Sequence, residues 1–238
     1  MGRWQDIAVK KSKTDAARAK VFTRIGREIV VAIKTGGGAN PDSNAKLREA
    51  IAKAKANNVP NDNINRAIKK ADEDASATYD EVLYEGYGPA GVAVIVEATT
   101  NNKNRTAAEI RHSFEKNGGN LGAMGSVAFM FERKGVIEIE KPIAFDEDEF
   151  MLLALDSGAE DIVVGDDEIQ VLTGVADFHK CSQALADSGY FLTSAELQYI
   201  PTTDAHINND DQQTKFDKMV DMLNSNEDVM NIWHNLSE

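Results

Sequence analysis

The chain has 238 residues, 42% hydrophobic and 27% charged, with a formal net charge of −13 and a sequence pI near 4.8. That length exceeds the roughly 100–150 residues of a common single domain, so more than one core is expected. No apolar run approaches the ~18 residues of a membrane span, the start Met1-Gly2-Arg3-Trp4-Gln5-Asp6 lacks the apolar stretch of a secretory signal, and a lone Cys181 excludes an intrachain disulfide framework and points to a reducing, cytoplasmic setting.

The first segment reads as helical. After Thr14-Asp15, residues Val21, Phe22, Ile25, Ile29 and Ile33 recur at helical spacing, and Gly36-Gly37-Gly38 ends the run. A second helix is predicted over 41–57, with Pro41 at its first position and Leu47, Ala50, Ile51 and Ala54 as its stripe. Val59-Pro60 breaks it, and Asn61 or Asp62 caps a third helix carrying Ile64, Ala67 and Ile68. Asp72-Glu73-Asp74-Ala75-Ser76 reads as a linker.

From Tyr79 the period changes. Residues 81–84 and 92–98 are predicted strands joined by a Gly/Pro turn. Thr106-Ala107-Ala108-Glu109 reads as a capping box opening a helix to about Lys116. A strand is expected at 127–131. Strand 136–139, helix 147–155, strands 161–164 and 169–172, helix 178–186 and strand 195–200 then give the order β-α-β-β-α-β of a ferredoxin-like unit. The helix and strand left over, about 211–223 and 229–233, are too few for a domain. They are expected to complete an α/β unit begun at 79–134. The resulting fold class is multi-domain α and α+β. It has a basic helical domain at 1–78, a discontinuous ferredoxin-like α/β domain at 79–134 and 202–238, and an acidic ferredoxin-like domain inserted at 135–201.

The net charge is divided along the chain. Residues 1–78 hold 16 Lys/Arg against 9 Asp/Glu, and residues 79–238 hold 10 against 30. A basic module in an acidic protein points to a polyanion partner, with the acidic remainder opposing nonspecific coating. The candidate phosphate contacts are Arg3, Lys10, Lys11, Lys13, Arg18, Lys20, Arg24 and Arg27, then Lys53, Lys55, Arg66, Lys69 and Lys70.

Other motifs have plainer readings. Gly86-Tyr87-Gly88-Pro89-Ala90-Gly91 matches G-x-G-x-x-G, but a strand follows where a dinucleotide site needs a helix, so a hairpin turn is expected. His112, His179, His206 and His234 lack metal-ligand spacing. Asp146-Glu147-Asp148-Glu149 suits a helix N-terminus. Neither a cofactor nor a metal is expected, and no catalytic constellation is visible. The stretch Gly118, Gly119, Asn120, Leu121, Gly122, Gly125 and Ser126 admits two readings. One is a helix C-cap followed by a flexible connection. The other is a functional loop whose amides and Asn120 face a ligand.

Together these pieces resemble the YebC family, which includes the YebC and YeeN proteins and a mitochondrial translational activator of cytochrome oxidase. The resemblance is carried by Asp15, Arg18, Lys20, Phe22 and Glu28, by Gly36-Gly37, Val59-Pro60 and Arg66-Ala67-Ile68, and by Tyr84-Glu85-Gly86-Tyr87-Gly88-Pro89. Asn104-Arg105-Thr106, Gly118–Gly122, Gly125-Ser126-Val127, Lys134-Gly135 and His234-Asn235 extend it over nearly the whole chain. At the start, Gly2-Arg3-Trp4 stands where the family commonly has Gly-His-Ser-Lys before its tryptophan, which leans toward the YeeN-like branch. The resemblance implies a three-domain cytoplasmic protein acting in gene expression. The favoured expectation is a non-enzymatic monomer that binds ribosomal RNA or tRNA on the ribosome and relieves stalling at proline-rich stretches, with loop 118–126 near a functional centre. The alternative is a transcriptional regulator that binds promoter DNA.

Overall fold

The structure, a computed structural model, describes residues 15–56, 59–73 and 79–237. Three helices come first: α1 (Asp15–Gly36), α2 (Ala45–Ala56) and α3 (Asn61–Glu73). Then follow β1 (Asp80–Tyr87), β2 (Ala93–Thr100), α4 (Lys103–Lys116) and β3 (Asn120–Leu121). Next are β4 (Phe131–Glu140), α5 (Glu147–Asp156), β5 (Ala159–Val164), β6 (Glu168–Thr173), α6 (Phe178–Asp187) and β7 (Leu192–Pro201). The last elements are α7 (Asp210–Ser225) and β8 (Val229–His234). Among the described residues, 131–200 form one compact unit, and those up to Met130 together with those from Pro201 form the other.

The helical segment closes on its periodic apolar faces. Ile25, Ile29, Ala32 and Ile33 of α1 pack with Leu47, Ala50 and Ala54 of α2 and with Ile64 and Ala71 of α3. Each fully buried Leu or Ile contributes roughly 1.5–3 kcal/mol, more than helix propensity supplies in segments this short. Pro41 does not open α2 as expected. It lies in a turn where the Asn40 side chain accepts from the Asp42 N–H at 2.9 Å. Asn44 caps the helix from outside: its Oδ1 accepts from the Leu47 N–H at 3.0 Å while its amide donates to the Ala32 and Gly38 carbonyls, both at 2.8 Å. A cap that also satisfies one buried and one half-buried carbonyl outcompetes a proline that satisfies none. Asp72 and Glu73 close α3 instead of opening a linker, and residues 74–76 lie outside the described residues.

The first sheet has strand order β3-β1-β2-β8, antiparallel throughout. β1 and β2 pair from Asp80 opposite Thr100 to Tyr87 opposite Ala93, and a 3-10 turn at Pro89–Gly91 joins them. Strand, turn, strand is the context that removes the dinucleotide reading of the G-x-G-x-x-G match. Val94, Val96 and Ala98 alternate onto a core with Ile110 and Phe114 of α4 and Phe216, Met219 and Leu223 of α7. β8 supplies the outer pairing of β2, with Val94 opposite His234 and Ala98 opposite Val229.

Two sequence expectations are corrected here. The cap of α4 is Asn102, whose side chain accepts from the Arg105 N–H at 3.1 Å, and Thr106 lies one turn inside the helix. Residues 127–131 are not a strand, because Ala128–Met130 form a 3-10 turn and β4 begins at Phe131. The Val127 and Ala128 N–H groups donate to the Glu85 carboxylate at 2.9 and 2.8 Å, so they cannot join a ladder.

The second sheet has strand order β5-β6-β4-β7 within the element order β-α-β-β-α-β. Its core joins Ile137, Ile139, Ile169 and Val171 with Phe150 and Ala154 of α5 and Phe178, Cys181 and Leu185 of α6. Burial, and then nearby Asp177, pushes the Cys181 thiol pKa up, as befits a packed thiol. Its hairpin pair β5–β6 stands at one edge. In the first sheet the hairpin pair β1–β2 is central instead, with element order β-β-α-β-α-β, which departs from the ferredoxin-like order expected there. Both outer edges of that hairpin are free to accept a strand, and β3 and β8 each take one.

Candidate nucleic-acid interface

Of the predicted cationic residues, Arg3, Lys10, Lys11 and Lys13 lie outside the described residues, and Arg18 and Lys20 lie on α1 with side chains outside those described. Lys55 near the end of α2 and Arg66, Lys69 and Lys70 on α3 are exposed. Arg66, Lys69 and Lys70 share one helix face by their i, i+3, i+4 spacing. The opposite face of α3 carries Ile64 and Ala71 into the core, so the helix presents its cations outward by amphipathicity alone.

Three other predicted contacts are engaged by protein groups. Lys53 Nζ lies 3.2 Å from Glu28 Oε1, tying α2 to α1. Arg24 donates to Asn224 Oδ1 at 3.3 Å. Arg27 pairs with Asp228.

Asp228 is the centre of a buried cluster that sequence reasoning missed. Its side chain is 4% exposed. It accepts from Arg105 Nη2 at 2.8 Å, from Thr106 Oγ1 at 2.6 Å and from Thr100 Oγ1 at 3.2 Å, as well as from Arg27. Burial works against its ionisation, but Thr106, Arg105 and Arg27 outweigh burial and hold its pKa below the usual aspartate value. Arg105 and Thr106 belong to the Asn104-Arg105-Thr106 stretch that helps carry the family resemblance, and Thr106 is the residue read above as opening a capping box. An open groove of about 960 Å³ beside the cluster is lined by Arg27, Arg105 and His112 but also by Glu109, Asp221 and Glu227. Charges of both signs alternate there, so the groove does not form a cationic bed for phosphate.

The glycine-rich loop is built by a second buried carboxylate. Glu85 on β1 accepts from Gly125, Val127 and Ala128 N–H groups at 2.7, 2.9 and 2.8 Å. Burial raises its pKa and the three N–H groups lower it further than burial raises it, leaving it below the usual glutamate value. Tyr87 donates its hydroxyl to the Ser126 carbonyl at 3.0 Å. The flexible-connection reading therefore needs correcting: the loop is anchored from β1, and Asn120-Leu121 pair as β3 with Tyr87 and Gly86. Gly118 follows the end of α4, donating to the Glu115 carbonyl at 3.2 Å. At Gly119 a Cβ would stand 2.7 Å from the Tyr87 carbonyl oxygen, and Gly125 has φ 84°, so both glycines are set by the backbone. Gly122 donates to the Glu85 carbonyl at 2.8 Å. Asn120 and the tip at Ala123 and Met124 remain exposed, Met124 by 85%. Phe129, just past the loop, is 73% exposed.

At the other margin of the first sheet, Asn235 Oδ1 accepts from the Ala93 N–H at 2.8 Å, and His234 packs edge-on against Phe216 at 5.1 Å. Burial holds the His234 pKa below its ordinary value. Among the described residues no three His, Cys, Asp or Glu side chains gather in a way that could hold a metal ion, and no helix is long and apolar enough to cross a membrane.

Comparison with known proteins agrees with this arrangement. Residues 2–74 match the model described as "TACO1/YebC protein N-terminal domain", and residues 79–236 match "TACO1/YebC second and third domain". A probable transcriptional regulatory protein of Thermoanaerobacter pseudethanolicus is 47% identical over 235 residues, 98% of this chain and 95% of that protein. One from Hathewaya histolytica is 51% identical over 236 residues, 98% of this chain and 94% of that protein. The crystal structure of a conserved hypothetical protein from Aquifex aeolicus superposes with a TM-score of 0.83 at 40% identity, covering 98% of this chain and 96% of that one. The two family models together span nearly the whole chain, as the relatives and the solved structure do, and the chain belongs to the TACO1/YebC family.

Proposed function

We propose that this protein is a non-enzymatic, nucleic-acid-binding regulator of gene expression, working as a ribosome-associated translation factor that binds rRNA or tRNA and relieves stalling at proline-rich stretches. The observation that carries the nucleic-acid reading is the segregation of charge. Residues 1–78 hold 16 of the 26 Lys/Arg and only 9 of the 39 Asp/Glu, and Lys55, Arg66 and Lys70 are exposed on a packed helical scaffold. A rigid cationic face binds phosphates at little conformational cost, while the acidic remainder disfavours loose coating of any polyanion. The family resemblance supports the translational role, and in this reading the anchored loop 118–126 works near the functional centre. In this reading the chain forms three domains, with 135–201 inserted between 79–134 and 202–238.

The names of the curated relatives favour a second reading, a DNA-binding transcriptional regulator. Sedimentation with ribosomes through a gradient at moderate salt, followed by translation of a reporter carrying a proline run, separates the two. Comigration and restored full-length product support the translation factor. Free protein, no rescue and a footprint on promoter DNA would replace it with the transcription reading.

A further inference from the structure

The unit formed by residues 131–200 contains four Lys/Arg against 16 Asp/Glu, a net charge of −12. On this unit α5 turns Phe150 and Ala154 into the core, yet its outer face is apolar at the centre: Leu152 is 65% exposed, Leu155 52% and Met151 38%. Residues four apart stack along a helix surface. The outer face therefore reads as two columns, Glu147-Met151-Leu155 and Asp148-Leu152-Asp156, with a carboxylate before the apolar residues of each and Asp156 after those of the second. Lys180 donates to the Asp156 carbonyl at 3.3 Å, so a cation borders that end. A contiguous apolar patch rimmed by polar residues is the pattern of an interaction site.

We infer that this face of α5 docks a basic amphipathic helix of a protein partner. The partner's apolar stripe meets Met151, Leu152 and Leu155, and its flanking Lys or Arg meet Glu147, Asp148 and Asp156. Charge selects this occupant. A nucleic acid would bring phosphates to a unit of net −12. A second copy packed isologously would set the same carboxylates against one another, a like-charge cost. A cationic helix gains on both the apolar centre and the acidic ends.

The test uses the full chain and a fluorescein-labelled helical Leu/Lys peptide with leucines at i, i+3, i+4 and i+7. Its controls are a scrambled peptide of the same composition and a Leu/Glu peptide. Anisotropy is expected to show binding of the Leu/Lys peptide alone, weakening with salt. Leu152→Gln/Leu155→Gln, checked by circular dichroism, should weaken it by about tenfold or more. Glu147→Gln/Asp148→Asn/Asp156→Asn should weaken it and flatten its salt dependence. Amide shifts on the wild-type protein should map to 147–156, and this readout decides the matter if the leucine variant does not fold. Equal binding of the scrambled peptide, shifts mapping elsewhere, or undiminished binding by the folded leucine variant would overturn the inference. So would a wild-type dimer in sedimentation that the leucine variant disperses, or competition for this face by single-stranded RNA.

Discussion

Arg27 and Asp228, 201 positions apart in the chain, form an ion pair that fastens α1 to the segment leading into β8. Arg105 and Thr106 of α4 converge on the same carboxylate. Replacing Asp228 by Asn keeps the shape and removes the charge. The expected loss of stability is about 1–3 kcal/mol, the range for leaving buried partners unsatisfied. It should fall short of the ~3–5 kcal/mol of a fully buried broken pair, because the Arg27 and Arg105 side chains are 19% and 46% exposed and recover water. Urea unfolding measures it. A change below about 0.5 kcal/mol would reduce the cluster to an ordinary surface pair.

Acid should loosen the same joint. Asp228 and Glu85 both titrate below their ordinary values in the folded protein. The unfolded chain therefore binds more protons as pH falls, and the stability these groups contribute, complete above the unfolded values near 3.9 and 4.3, is lost as pH drops through the lower folded values. Unfolding followed from pH 6 to 2 should steepen below roughly pH 4, and Asp228→Asn should flatten that slope. An identical slope in the variant would assign the acid sensitivity elsewhere.

Glu85→Gln should free the glycine-rich loop. A neutral amide replaces a carboxylate that accepts three N–H donors, at an expected cost of about 1–3 kcal/mol, and hydrogen exchange at Gly125, Val127 and Ala128 should accelerate. Asn120→Ala touches an exposed side chain and should stay within about 0.5 kcal/mol of wild type. If the loop serves translation, the folded Asn120→Ala protein rescues a proline-run reporter less well than wild type. Full rescue would leave the loop with a structural role alone.

Reversing Lys55, Arg66 and Lys70 to Glu should weaken binding to structured RNA irrespective of its sequence. Each lost phosphate contact should also flatten the log–log salt dependence by roughly 0.7–0.9. These side chains point away from the core, so the melting temperature should barely move. Unchanged affinity in a folded triple variant would place the interface on another surface.

We propose that residues 79–134 and 202–238 fold as one domain. Deleting residues 205–238 removes α7 and β8, and with them Phe216, Met219, Leu223 and the outer pairing of β2. Limited proteolysis and hydrogen exchange should then show lost protection across Val92–Ala98. Protection equal to that of the full chain would dissolve the single-domain reading.

Helix and strand periods were readable along the chain because Ile25, Ile29 and Ile33, or Val94, Val96 and Ala98, face a core at fixed spacing. What escaped were choices made by distant partners. Thr106 resembles a cap from its neighbours, yet Asp228, 122 positions away, claims its hydroxyl. Val127 looks like a strand residue, yet Glu85 holds its N–H. The charge division along the chain was equally legible. Which cations would face solvent was not, since nothing local to Arg24, Arg27 or Lys53 announces Asn224, Asp228 or Glu28 as a neighbour. Glu85 and Asp228 carry no sequence signature beyond being acidic, and only the folded chain brings their donors around them.

The pairing of β2 with β8 also sets a timetable. A ribosome adding about 5–20 residues per second needs on the order of ten seconds to travel from β2 to β8. Throughout that interval β2 has one edge unpaired and its Val94, Val96 and Ala98 face uncovered by α7, while the acidic unit between them can already close on its own strands. An open hydrophobic edge that waits this long is a site for borrowing a strand from another nascent chain. The strong negative charge emerging in the meantime keeps neighbouring chains apart until the last strand arrives.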